Sequence, residues 1–164
     1  MDSELERKVN ELWEKEKIRE LTYRYGQTIE RRDEEAMSRL YTEDGTVDFS
    51  ETGLGVHRGR ANIKDFYATT WTQRVKAFFT NHLIEIIDDR HARGVCCYEN
   101  RAVRNGESVM GAGRLHDEYE KVEGLWKFRS RRLELFYSVP VQKGWIGVGK
   151  MKEAVTEILK QIQN

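Results

Sequence analysis

Apolar residues in the first fifth of the chain recur at helical spacing, but not in one register. Leu5, Val9 and Leu12 follow one stripe, and Ser3 with Glu6 has the spacing of a capping box, which starts a helix near residue 4. Leu21, Tyr25, Thr28 and Ile29 follow another stripe, and the register slips between Leu12 and Ile18, across the run EKEK. That slip predicts a kink or break near residues 14–16, with a second helix from Ile18 to Asp33. Tyr23, Gly26, Gln27 and Glu30 cluster on the far side of this second helix. A glycine inside a helix costs about 1 kcal/mol relative to alanine, so this face is expected to meet a ligand or another backbone closely. The competing reading of Glu30 is a solvated charge beside Arg31 and Arg32.

Asp33 is placed to cap a short helix carrying Ala36, Met37, Leu40 and Tyr41. TEDG then reads as a turn, and TVDFS as a first strand with Val47 and Phe49 on one face and Asp48 on the other. Glycines 53, 55 and 59 bracket an extended piece containing Val56 and His57, and residues 60–71 repeat helically through Ile63, Phe66 and Tyr67. From residue 78 the period changes to two. Four strand-like runs, with turns at DDRHARG, RNGE and EG, predict an antiparallel meander that ends at Pro140. Residues 141–164 are expected to be a C-terminal extension of the single domain 1–164, finishing in an amphipathic helix through Met151, Val155, Ile158 and Leu159. Helices first and a bent sheet afterwards is an α+β order, and such a sheet wrapped on helices can enclose a cavity.

Alternation sorts the polar residues. His82 shares a strand face with Ile84 and Ile86 and is expected to point inward. Tyr98 shares a face with Asn100; the face of His116 is ambiguous, and His57 and His91 fall in loops. Trp126, Phe128, Ser130 and Arg132 share one face, opposite Lys127, Arg129 and Arg131. Arg132 is therefore expected to be the buried arginine, requiring an acid or an anionic ligand, with Glu30 and Asp48 the first acids to consider.

The charges balance, 28 basic against 28 acidic residues, which gives no footprint for nucleic acid or an anionic membrane surface. Without a signal-like apolar run or a stretch of about 20 apolar residues, the expected location is cytoplasmic. Cys96 and Cys97 are adjacent and read as two small buried residues facing opposite ways along a strand, not as a disulfide framework or zinc site. GWIGVGKM has the glycine and lysine spacing of a phosphate loop, but Met151 stands where a metal-binding hydroxyl is required. No HExxH, GxSxG or paired CxxC motif occurs.

The runs IRELTYRYGQTIERRDEEAMSRLYTEDGTVDF, GVHRGRANIKDF, TNHLIEI and GRLHDEYEKVEGLWKF, in that order, resemble the polyketide-cyclase-like (SnoaL-like) branch of the nuclear-transport-factor-2-like superfamily. The resemblance covers residues 18 to 133. It implies a cone of strongly bent mixed or antiparallel sheet closed by N-terminal helices, a largely apolar pocket, and homodimers or homotrimers. Dehydratase-like members use an Asp and His pair. Glu30 stands at the acid position, and Tyr25 precedes it by the five residues seen in some members, whereas Ala77 and Phe78 occupy the place of the histidine.

Residues and resemblance together point to a cofactor-independent lyase or isomerase acting on a small hydrophobic, aromatic or polyketide-like molecule. Elimination of water, or of a small carbonyl fragment such as formaldehyde, is preferred. Glu30 is the expected base, His82 its partner or proton shuttle, Tyr25 or Tyr23 the group polarising a hydroxyl or carbonyl, and Arg132 the cation steadying the anion. Tyr23, Asp48, Trp71, Asn81, Tyr98, Asn100 and His116 are the expected substrate contacts, with no metal. The rival is a noncatalytic binding protein or oxygenase small-subunit-like partner. An epoxide hydrolase would instead bring Asp48 and Asn81 together.

Overall fold

The computed structural model describes residues 3–70, 75–104 and 106–143. It opens with one unbroken helix, α1, from Ser3 to Arg31. The kink expected at residues 14–16 does not form. Side chains of the EKEK run tie successive turns together instead, Lys15 to Glu11 at 2.6 Å, Lys17 to Glu14 at 3.0 Å and Arg19 to Glu16 at 3.1 Å. Such pairs three and four residues apart favour a continuous helix.

The helix ends as Arg32 takes a left-handed conformation (φ 55), with Arg32 N–H donating to Ile29 O at 3.3 Å and Asp33 N–H to Thr28 O at 3.1 Å. This is the doubly bonded helix stop usually built on glycine. Asp33 then caps α2 (Glu34–Arg39), its carboxylate accepting from the Ala36 amide at 2.8 Å.

Besides two single-turn 3-10 helices, Ser50–Thr52 and Val141–Lys143, the described residues further form β1 (Tyr41–Phe49), β2 (Gly55–Arg58), α3 (Arg60–Thr70), β3 (Val75–Ile86), β4 (His91–Arg104), β5 (Glu107–Val122) and β6 (Leu125–Pro140). Among the described residues the strands form one mixed, open, six-stranded sheet in the order β2-β1-β6-β5-β4-β3, antiparallel throughout except where β1 runs parallel to β6. TEDG is a bulge inside β1 and not a turn before it, because pairing with β6 steps from Tyr41↔Phe128 to Thr46↔Ser130.

A second bulge decides the interior. β5 pairs Tyr119 with Phe128 and Glu118 with Ser130, so Arg129 is an extra residue on β6. One extra residue reverses the faces beyond it. Phe128 and Arg131 both point inward, and Arg132 points out, the reverse of the expectation from strict alternation.

The core lies between the bent sheet and the helices, with Ile18, Leu21, Tyr25 and Ile29 of α1 against Tyr119 and Phe128, and with Tyr67 of α3 and Tyr41 of β1 closing the far side. Cys96 is buried, Cys97 is half-buried, and both are free thiols. Trp71, the phosphate-loop-like run and the amphipathic stretch through Leu159 lie outside the described residues. Among the described residues no helix is long and apolar enough to cross a membrane.

Candidate active site

The last turn of α1 stands over the ends of β3, β4 and β5, around a cavity of about 620 Å³. Its apolar wall is Ile29, Val75, Ala102, Val103, Val109 and Val141. Val75 pairs with Ala102 and Ala102 with Val109, so three adjacent strands each contribute one side chain to a single apolar row. Glu30 is the only acid among the described lining residues, in company with Arg32, Lys76 and Arg101.

Glu30 faces the Lys76 ammonium at 3.0 Å, and Lys76 sits on the edge strand opposite Arg101. The helix stop at Arg32 fixes where α1 releases Glu30 onto the cavity rim. Both members of the ion pair remain partly open to water, with 39% of the Glu30 side chain and 56% of that of Lys76 exposed. A carboxylate and an ammonium at the mouth of an apolar cavity can take a proton from a bound molecule and give one back to it. Alternation along β3 does not single out Lys76; only the approach of α1 to the sheet edge makes it a partner of Glu30.

His82 points inward as expected but is not brought to Glu30. Its ring contacts Tyr119, and the Arg19 charge reaches it. Arg19 lies eleven residues before Glu30, about 16 Å along a helix. His82 instead ends a buried chain of hydrogen bonds. Asp117 accepts from Arg131 Nε at 2.8 Å and Nη2 at 2.7 Å, and from the Tyr119 hydroxyl at 2.9 Å. Since the single Tyr119 proton is spent on Asp117, its oxygen must accept from His82 Nε2, 2.9 Å away. The imidazole is therefore held as the Nε2–H tautomer, leaving the Nδ1 lone pair free. Burial first of all, opposed by Asp117, brings the His82 pKa down to about 4, so the ring is neutral at pH 7.

Tyr25 is buried, and its hydroxyl is held at 2.8 Å by the hydroxyl of Tyr67, which also meets that of Tyr41 at 3.3 Å. Burial pushes the Tyr25 pKa up and those of Tyr41 and Tyr67 well above the ordinary value, so the cluster stays protonated. Tyr25 thus serves the core, packing its ring 4.1 Å from the Arg131 guanidinium, and does not line the Glu30 cavity. Tyr23 projects outward, 56% exposed. Gly26 faces the Phe79 ring and neither a ligand nor another backbone, and a Cβ there would make an ordinary contact at 3.4 Å, so the close approach expected of this position is not what the fold uses it for.

Arg132, Asp48 and His116 lie on the opposite face of the sheet, around a groove of about 890 Å³, which removes Arg132 from the role of interior anion-stabiliser. Asp48 is held by Ser50 there, and His116 meets Glu134 at 2.7 Å. Asn81, in a left-handed conformation (φ 51), is exposed and directs its amide toward Cys97. Four strand spacings separate β1 from β3, about 19 Å, so Asp48 and Asn81 do not form a hydrolase pair. Tyr98 and Asn100 share the inner face, with Asn100 Nδ2 donating to the Tyr98 hydroxyl at 2.9 Å, one row below the apolar floor of the cavity. Burial pushes Tyr98 up to about 12. Among the described residues no group of acids, histidines or cysteines is arranged to hold a metal ion.

The family model described as SnoaL-like domain matches residues 10–132. Among solved structures, a Mycobacterium tuberculosis protein described as of unknown function is 28% identical with a TM-score of 0.69, over 77% of this chain and 75% of that one. A putative scytalone dehydratase from Novosphingobium aromaticivorans is 19% identical with a TM-score of 0.75, over 81% and 91%. A hexachlorocyclohexane dehydrochlorinase from Novosphingobium barchaimii is 19% identical with a TM-score of 0.72, over 81% and 93%. At that identity the last two show a shared fold. No curated protein matches the sequence.

Proposed function

The chain belongs to the SnoaL-like domain family, and from that premise we propose that it is a cofactor-independent lyase, or an isomerase, acting on a small hydrophobic molecule of aromatic or polyketide type. The observation that carries this reading is the Glu30 carboxylate, paired with Lys76 at 3.0 Å on the rim of a cavity of about 620 Å³ that joins an apolar wall to Arg32 and Arg101. Two structural relatives bear the names of elimination enzymes, a dehydratase and a dehydrochlorinase.

In the elimination, Glu30 takes a proton from carbon. The freed electron pair forms the new double bond as the bond to the leaving oxygen breaks, and Lys76 gives that oxygen its proton. Arg32 and Arg101 hold a carbonyl or phenol oxygen of the substrate in place as charge builds on it. In an isomerisation the proton taken by Glu30 returns to a different carbon. Self-association as a homodimer or homotrimer completes the reading. The outer groove, where Asp44, Asp48, Glu85 and Glu118 stand among Arg58, Arg93, Arg129 and Arg132, offers a surface for it.

The openness of the ion pair to solvent, together with Ala77 in place of a histidine, favours a second reading as a noncatalytic binding protein. A thermal-shift screen of hydrophobic ligands finds the occupant in either case, since a ligand at 100 times its Kd adds about 2.7 kcal/mol. Glu30→Gln and Lys76→Met then separate the readings. Turnover is expected to fall by about 10²-fold or more in each, with Tm nearly unchanged. Binding without turnover in the unmodified protein would establish the second reading, and an active Glu30→Gln would remove Glu30 as the base.

A further inference from the structure

Among the described residues nothing covers a second apolar stripe of α1. Leu5, Val9, Leu12 and Trp13 are 53%, 54%, 64% and 60% exposed. On a helical wheel they occupy about 100° of arc. The buried residues of the same helix, from Ile18 to Ile29, centre about 180° away on that wheel. Because the EKEK run continues the helix without a kink, the slip in register turns the N-terminal stripe to the side opposite the core. A few helical turns that bury neither face are marginal in water, so this stripe calls for a cover.

The chain carries a matching one. Met151, Val155, Ile158 and Leu159 have the i, i+4, i+7, i+8 spacing of Leu5, Val9, Leu12 and Trp13. The connecting chain is long enough to bring it there. Val141 lines the cavity beside Glu30, and Glu30, Gln27 and Tyr23 lie on the same outer line of α1 as the bare stripe. From Glu30 back to Trp13 is about 26 Å of helix. The eight peptide units from Lys143 to Met151 reach about 26–29 Å when extended, enough to cover that span.

We propose that residues 151–159 dock on the N-terminal half of α1 within the same chain, antiparallel to it, with Met151 beside Trp13, Val155 beside Val9 and Leu159 beside Leu5. The helix α1 then has two apolar faces, one for the sheet and one for the C-terminal segment.

Full-length protein carrying Val9→Cys and Val155→Cys, with Cys97→Ser to remove the accessible native thiol, tests the pairing under mild oxidation. The expected product is a monomer that has lost both introduced thiols and migrates faster on a non-reducing gel. The pair Leu5→Cys with Leu159→Cys is expected to behave alike, which keeps the test valid if one variant folds poorly. Three results would overturn the proposal. Retention of both thiols in the two folded variants means that the segments do not meet. A covalent dimer requiring both cysteines means that the cover comes from a second copy. A covalent dimer from Val9→Cys alone means that two α1 stripes cover each other.

Discussion

Arg131 and Asp117 form a two-point ion pair that solvent does not reach, with Nε–Oδ1 at 2.8 Å, Nη2–Oδ2 at 2.7 Å and both side chains 0% exposed. The guanidinium carbon lies 4.0 Å from the Phe128 ring and 4.1 Å from that of Tyr25. Burial works against its charge, yet Asp117 keeps Arg131 protonated far above its ordinary range. Removing one partner leaves an uncompensated charge or its desolvated counterpart in the core.

Asp117→Asn is therefore expected to lose about 3–5 kcal/mol, whereas Asp117→Leu combined with Arg131→Met recovers most of that loss. Arg132→Leu, one residue on but at the surface, should change stability by less than about 0.5 kcal/mol. Urea unfolding of these variants checks all three. A double variant no more stable than Asp117→Asn, or an Arg132→Leu loss as large as that of Asp117→Asn, would contradict the assignment of faces.

His82 makes stability depend on pH. Its folded pKa of about 4 lies below the ordinary value of 6.5, because burial disfavours the imidazolium. As pH falls through that interval the unfolded chain takes up a proton that the folded one does not, so stability is complete above the upper value and declines toward the lower. His82→Phe should flatten this part of the profile. Nitrogen NMR at pH 7 should show the Nε2–H tautomer, and an Nδ1–H form would undo the assigned hydrogen-bond chain.

Glu14 ties α1 to the β5–β6 hairpin, accepting from Trp126 Nε1 at 2.6 Å and meeting Lys121 at 2.6 Å and Lys17 at 3.0 Å. Burial alone would raise its pKa, but Lys121, Lys17 and Trp126 outweigh that and bring it to about 2 from an ordinary 4.5. Its contribution is present above the ordinary value and is lost as pH falls toward the folded one. Glu14→Gln should lower Tm at pH 7, and the difference from the unmodified protein should shrink toward pH 2. A constant difference would show that the charge is not responsible.

Arg32 holds a left-handed conformation that glycine adopts without steric cost. Arg32→Gly is expected to stabilise the protein by about 1 kcal/mol, read as a rise in Tm. If the arginine is retained for the cavity it lines, the same variant should bind the ligand more weakly. A lower Tm would mean that the side chain, and not the backbone, dominates at this position.

Much of the fold was legible because it rests on local rules. The Asp33 cap, the period-two strands and the inward His82 follow from side-chain geometry within a few residues. The site was only partly legible. Glu30 stood out on its helix face, but Lys76, Asp117 and Tyr119 did not, since their importance depends on which strands lie beside which. Arg132 was favoured over Arg131 because alternation admits no extra residue.

The sequence by itself determined that helices come first and a meander of strands afterwards, the helical stripe that ends at Ile29 with Glu30 on the face opposite, and the slip across EKEK. Tertiary structure decided what those features mean. The bulge at Arg129 is set by pairing β6 against both β1 and β5, and it selects Arg131 for the interior. The slip becomes a second outward face because ion pairs carry α1 straight through it. In both cases the local pattern fixes a periodicity, while its phase relative to the core is set by contacts between segments far apart in the chain.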